Sequence, residues 1–171
     1  MKRLIIASFL TLLIIAGCGY TAGSLVPGHI KTIYVESFKN ETNEPDIDIE
    51  ATNNIKDRFA WNGQLEIVND KDQADSMLSG TITDYEKQPL AFGDNDEITE
   101  YRLVITVDMV FYDLINDKVI WQEEDFKVDS EYYSTLREQK FSSAQIDREK
   151  LIENVTDELA REVVNRTVEG W

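Results

Sequence analysis

The chain has 171 residues, of which 33 are Asp or Glu and 17 are Lys or Arg, so its formal net charge is −16. This balance excludes a nucleic-acid binder, because neutralising phosphates requires clustered basic residues. Hydrophobic residues make up 42% of the chain, which is too many for a disordered acidic tail, and the length predicts one compact domain.

The N-terminus has the pattern of an export signal. Two cations, Lys2 and Arg3, precede an apolar run from Leu4 to Ala16. As a helix this run is about 20 Å long, which is too short for a bilayer core of about 30 Å. A short apolar run with a basic flank is typical of a secretory signal sequence, here residues 1–17.

The segment Ile15-Ala16-Gly17-Cys18 resembles the bacterial lipobox, in which the cysteine receives fatty acids such as palmitate and becomes the first residue of the mature protein. Cys18 is the only cysteine, so a disulfide within the chain is excluded. The residue after Cys18 is Gly19 and not the Asp that resembles an inner-membrane retention signal in many Gram-negative bacteria. We therefore predict an outer-membrane lipoprotein of a Gram-negative bacterium, anchored on the periplasmic side. Removing residues 1–17 leaves 15 basic and 33 acidic residues, a charge of −18.

After the anchor, residues 18–29 form a tether rich in glycine, and residues 30–171 form the single predicted domain. Its first element is a strand over Ile30–Phe38, followed by a turn over Asn40–Asp46. A helix comes next, with Asp46 as its N-cap and Gly63 as its stop. Its apolar stripe has four members: Ile47, Ala51, Ile55 and Phe59.

The residue pattern in the middle of the chain predicts several strands. Gln64–Val68 is a short candidate, and Met77–Tyr85 alternates as a strand should, with Gly80 marking a bulge or a close approach of backbone. Thr99–Leu114 has the clearest alternation. Its predicted core face carries six apolar residues: Tyr101, Leu103, Ile105, Val107, Met109 and Phe111.

A turn at Ile115–Lys118 leads into a fourth strand that ends near Val128. Glu131–Gln145 has the least pattern and predicts a loop. From Ile146 onward a helix is indicated, because four apolar residues recur every fourth position: Leu151, Val155, Leu159 and Val163.

The predicted order is therefore β-α-β-β-β-α. Two helices with single apolar stripes can cover one face of a four-stranded mixed sheet, so the fold class is α+β, a two-layer sandwich with one open sheet face. An exposed apolar and aromatic face is a candidate for binding a partner, although ordinary β-propensity explains it equally well. The candidate residues of this face are Tyr34, Val104, Val110, Tyr112 and Trp121.

The sequence offers little for catalysis. His29 is the only histidine and lies in the tether, which lacks the rigid support of a catalytic or metal site. The acidic stretch Asp94-Asn95-Asp96-Glu97 has oxygen ligands for a divalent cation but not the spacing of an EF-hand, and a solvated turn is favoured. We therefore predict no catalytic residues, no metal site and no cofactor.

Several strings, in order after a lipobox, resemble the LptE family of lipopolysaccharide-assembly lipoproteins. They are IKTIYVESFKNET, LSGTITDYE, EYRLVITVDM, VIWQE and NRTVEGW. The resemblance implies a non-enzymatic lipoprotein on the inner leaflet of the outer membrane. It also implies a plug inside the β-barrel LptD that helps the barrel assemble and deliver lipopolysaccharide to the cell surface. The basic residues of the family's proposed lipopolysaccharide contacts have no identifiable counterpart in this acidic chain.

Two alternatives remain open at this stage. A periplasmic lipoprotein that regulates peptidoglycan synthesis or secretion would share a small α+β domain, but such proteins typically have a longer tether. A secreted hydrolase would need a pair of carboxylates in a cleft, and nothing in the sequence selects a pair.

Overall fold

The structure is a computed structural model that describes residues 26–92, 98–133 and 143–169. The predicted signal sequence, Cys18, most of the tether and Asp94–Glu97 lie outside these residues. The described chain folds in the order β1 (Thr32–Val35), β2 (Lys39–Asn40), α1 (Ile47–Asn62), β3 (Glu66–Ile67), β4 (Ser76–Phe92), β5 (Ile98–Asp113), β6 (Lys118–Tyr133) and α2 (Ser143–Val168).

The strands form one mixed sheet with the order β3-β1-β4-β5-β6, and β2 pairs with β4 beside this path. β1 is parallel to β3 and β4, whereas β4, β5 and β6 form an antiparallel meander. Both helices pack on the same face of the sheet, and the core lies between the two layers. The α+β class, the mixed sheet and the two covering helices are confirmed, but the described sheet has six strands rather than four.

The extra strands come from two places. The short candidate at Gln64–Val68 forms β3, and the first stretch of strand is divided: β1 ends at Val35, before the predicted end at Phe38, and β2 begins at Lys39, beyond the predicted strand. The division has a physical reason, because the backbone N–H of Phe38 donates to Oγ1 of Thr52 in α1 at 3.0 Å. That N–H is therefore unavailable to a neighbouring strand, and the ladder resumes only at β2.

The apolar stripes of the two helices are buried as predicted. Gly63 ends α1 with φ of 71°, and its N–H donates to the carbonyl of Phe59, as expected for a glycine stop. Asp46 occupies the N-cap position as predicted, but it has φ of 64° and its side chain accepts no capping hydrogen bond. The residues with no more than 2% exposure include all eight stripe members: Ile47, Ala51, Ile55, Phe59, Leu151, Val155, Leu159 and Val163.

Gly80 marks a close approach, as the sequence predicted. A Cβ at this position would lie 2.3 Å from the ring of Phe38, which is only 3% exposed. The ring therefore packs directly on the backbone of β4, and this contact positions the chain between β1 and β2 over the sheet.

The meander continues beyond the short strands. β4 makes its last pairing with β2 at Ile82, yet it extends to Phe92, whose side chain is 62% exposed. β6 extends to Tyr133 rather than ending near Val128, and α2 begins at Ser143, before the predicted Ile146. The predicted loop Glu131–Gln145 is thus shorter at both ends, and residues 134–142 lie outside the described chain.

Candidate functional site

The sheet surface opposite the helices, here called the open face, carries an aromatic row near the start of the domain. Residues that pair across neighbouring strands point to the same face. Tyr34 pairs with Met77, Met77 with Tyr112, and Tyr112 with Val119. At strand spacings of about 4.8 Å, these four side chains form one row, here called the aromatic row, across β1, β4, β5 and β6.

The next row on the open face is smaller and more polar. Ser79, Val110 and Gln122 pair across β4, β5 and β6. They line a shallow depression of about 230 Å³ together with Lys39 and Asp108, among others. Val110 therefore adds an apolar side chain beside the aromatic row, at the border of a polar depression.

Val104 lies apart from this cluster. It is six residues from Val110 along β5, about 20 Å in an extended strand. Its partners are Glu86 on β4 and Asp129 on β6. In the adjacent row, Arg102 pairs with Glu131 at 2.5 Å and with Asp129 at 3.5 Å. The far half of the open face is thus charged, and Val104 does not join the apolar patch.

Trp121 does not lie on the open face. It pairs with Phe111, a fully buried core residue, and their ring centroids are 6.0 Å apart. Two residues further on, Glu123 pairs with Arg166 of α2, which confirms that this part of β6 faces the helices. The reason is a register shift opposite Phe111 and Tyr112, where β6 has one extra residue. This extra residue places the side chain of Trp121 on the opposite face from the one that simple alternation predicts.

The sequence reasoning missed Met77 and Val119. Met77 precedes the core residue Leu78, so alternation alone places it on the opposite face. Val119 is 42% exposed and pairs with Tyr112, but its face depends on the same register shift in β6.

The hydroxyl of Tyr112 is held by the turn that follows its strand. It donates to the carboxylate of Asp117, and this hydrogen bond raises the pKa of Tyr112 above its usual value. Asp117 has φ of 53°, a left-handed conformation that a tight turn requires. The ring of Tyr112 therefore has a fixed position at the end of the open face.

His29 has a structural partner. Its Nε2 lies 2.7 Å from Oδ2 of Asp113 and 2.9 Å from Nδ2 of Asn116. Asp113, 3% exposed, also accepts the backbone N–H groups of Ile115 and Asn116, both at 3.0 Å. Burial raises the pKa of Asp113, but hydrogen bonds from Asn116 and His29 outweigh it and lower the pKa from 3.8 to about 2. This cluster, here called the tether latch, fixes the end of the tether beside the turn between β5 and β6.

The described residues show neither a metal site nor a membrane-spanning helix. No group of three or more His, Cys, Asp or Glu residues in residues 26–92, 98–133 and 143–169 is arranged to hold a metal ion. In the same part of the chain, neither helix has the length and apolar character needed to cross a bilayer.

A family model described as LptE, lipopolysaccharide-assembly, matches residues 30–167, nearly the whole of the predicted domain. This chain belongs to the LptE family. The resemblance seen in the sequence strings is thereby confirmed. No curated protein matches this LptE-family chain.

Solved structures share the fold of this LptE-family chain. Rare lipoprotein B from Shewanella oneidensis is 16% identical, with a TM-score of 0.50 over 77% of this chain and 91% of that one. A hypothetical protein from Chlamydia trachomatis is 12% identical, with a TM-score of 0.53 over 80% and 95%. A protein from Xanthomonas campestris is 9% identical, with a TM-score of 0.54 over 80% and 83%. At these identities the similarity is one of fold.

Proposed function

We propose that this LptE-family chain is a non-enzymatic outer-membrane lipoprotein that docks in an LptD-type β-barrel and helps assemble the translocon that delivers lipopolysaccharide to the cell surface. Fatty acids on Cys18 would hold it on the periplasmic side, where several acyl chains give a lasting anchor. The proposal depends most on one observation, the aromatic row on a sheet face that no described helix covers.

The composition of the open face favours a protein partner. A monomeric protein seldom exposes a continuous apolar surface unless that surface binds something, and Tyr and Met are enriched in interface cores. The aromatic row supplies two tyrosines and Met77, and Val110 extends the patch along β5. Polar and charged residues on either side, such as Ser79 and Asp108, would form the rim of such an interface.

Lipopolysaccharide is the second proposed partner, and whether it can bind depends on the charge of the open face. The mature chain carries −18, and the depression on the open face is lined by Glu36, Asp108 and Glu124 as well as Lys39. An anionic glycolipid would be repelled by these carboxylates unless divalent cations bridged the like charges. We therefore assign the barrel contact to the aromatic row and expect any lipid contact to depend on divalent cations.

The test is co-purification of the lipoprotein from solubilised outer membranes. Val110→Asp and Tyr112→Asp each place a carboxylate in the proposed interface, and we expect each to reduce recovery of the barrel by at least about tenfold. Val110→Thr keeps the size of the side chain and should retain most of the barrel. Ile49→Asp is the matched control, since Ile49 is also an exposed apolar residue, at 55%, but lies on α1.

Each variant must keep the urea midpoint of the wild-type protein, which separates loss of docking from loss of folding. Recovery of the wild-type lipoprotein without any large barrel protein would refute the proposed function. Equal losses in Ile49→Asp and Val110→Asp would refute the assignment of the interface to the open face.

A further inference from the structure

Trp61 lies on α1, in the layer opposite the open face, and is 82% exposed. Tryptophan is highly buried on average in folded proteins, so an indole this exposed calls for a reason. The core does not use this side chain, and it is separate from the surface assigned to the barrel.

The indole stands at the edge of a pocket between the two helices. The pocket has a volume of about 330 Å³ and is lined by Asn54, Asp57, Arg58 and Trp61 of α1 and by Asp157 of α2. It combines an aromatic surface with four hydrogen-bonding side chains, two of them carboxylates. The lining is therefore mainly polar with a single apolar surface, so it suits a polar small molecule that also has an apolar side.

One wall of this pocket, at Asn54, is held by a hydrogen bond between the helices. Nδ2 of Asn54 donates to Oγ1 of Thr156 at 2.9 Å, and Thr156 is fully buried and donates to the carbonyl of Ile152. This contact locks α1 to α2 directly beneath the pocket. It also leaves the amide oxygen of Asn54 available as an acceptor.

Arg58 orients the indole. Its guanidinium carbon lies 5.7 Å from the centre of the Trp61 ring, in the range of a cation–π contact. Arg58 covers part of one side of the indole, and the 82% exposure leaves the other side accessible. A flat apolar surface is thus presented to solvent, bordered by Asp57 and Asp157.

We propose that this pocket binds an uncharged pyranose ring of a glycan. The C–H groups on one side of a pyranose can pack on the open side of Trp61, because they are the apolar part of the sugar. Its neighbouring hydroxyls can donate to the carboxylates of Asp57 and Asp157 and to the amide oxygen of Asn54, since carboxylates accept several hydrogen bonds. The same two carboxylates outnumber the one cation of the lining, Arg58, and together with the net charge of the chain they disfavour phosphorylated or acidic sugars.

The test uses the full-length lipoprotein in detergent, labelled with nitrogen-15 and titrated with N-acetylglucosamine tetramer. The indole N–H signal of Trp61, identified by its absence in Trp61→Phe, is expected to shift with a dissociation constant on the order of 1 mM, as for a small ligand on an open site. The matched control is Ile49→Ala, which removes an exposed apolar residue from the same helix and should leave the affinity unchanged.

In Trp61→Ala, backbone signals of Asn54 and Asp57 report binding in place of the indole, and we expect the affinity to fall by at least about tenfold. A phosphorylated core oligosaccharide freed of its lipid should give no shift. Binding of that oligosaccharide in preference to the neutral tetramer would overturn the proposal, as would an unchanged affinity in Trp61→Ala. A larger shift with tetralysine than with the glycan would also overturn it, because the pocket would then be a docking site for a basic protein segment.

Discussion

The tether latch allows a quantitative prediction about stability. Asp113→Asn removes one charge while it keeps the size of a side chain that accepts from two backbone N–H groups, from Asn116 and from His29. The pKa of Asp113, lowered from 3.8 to about 2, corresponds to at most about 2.5 kcal/mol of folding free energy at neutral pH. Because His29 is 38% exposed and solvent screens its charge, we expect a loss of about 1–2 kcal/mol.

The pH dependence has a definite sign. The folded-state pKa of Asp113 lies below its unfolded-state value, so the stabilisation is fully present above about pH 4 and is lost as the pH falls towards 2. The difference between wild type and Asp113→Asn should therefore be largest at pH 7 and about half as large at pH 3. Urea unfolding followed by circular dichroism at both pH values measures it. A difference that is the same at pH 3 as at pH 7, or absent at pH 7, would refute the reasoning.

Two further predictions concern the backbone of β4 and the anchor. Gly80→Ala places a methyl group 2.3 Å from the buried ring of Phe38, so we expect a loss of about 1–3 kcal/mol in the free energy of unfolding. Gly28→Ala is the control and should cost far less, because its methyl group meets no atom within 4 Å. Equal urea midpoints in the two variants would contradict this packing. Cys18→Ser should abolish incorporation of labelled palmitate in cells, and label retained by this variant would contradict acylation at Cys18.

Local patterns in the sequence were enough to predict most of the helices and strands. The stripes of α1 and α2 recur every four residues, and the alternation in β5 identified its core face, because these periods follow from the geometry of a single helix or strand. The stop at Gly63 was also predicted correctly, because it depends on the conformation of its own backbone. The close approach at Gly80 was predicted too, but its partner, the ring of Phe38, comes from another part of the chain. Family membership followed from the order of short strings and was confirmed over residues 30–167.

The candidate site depended on contacts between distant parts of the chain. Alternation placed Tyr34, Val110 and Tyr112 on the open face correctly, but it could not show that Met77 lies between the two tyrosines or that Val104 lies among charges. The face of Trp121 was decided by an irregularity in the pairing of β5 with β6. From that point the side chains of β6 lie on the face opposite to the one that simple alternation predicts, until a second irregularity opposite Asp108 restores the original order.

The sequence by itself determined the acidity and the class of fold, and it predicts the export signal and the lipidation motif, because each of these depends on composition or on a local pattern. Only the tertiary structure decided which residues meet across strands, how His29 is held by Asp113, and that Trp61 stands over a pocket shared with α2. Those facts depend on register, on bulges and on the packing of one helix beside another, and these are set by the whole fold at once.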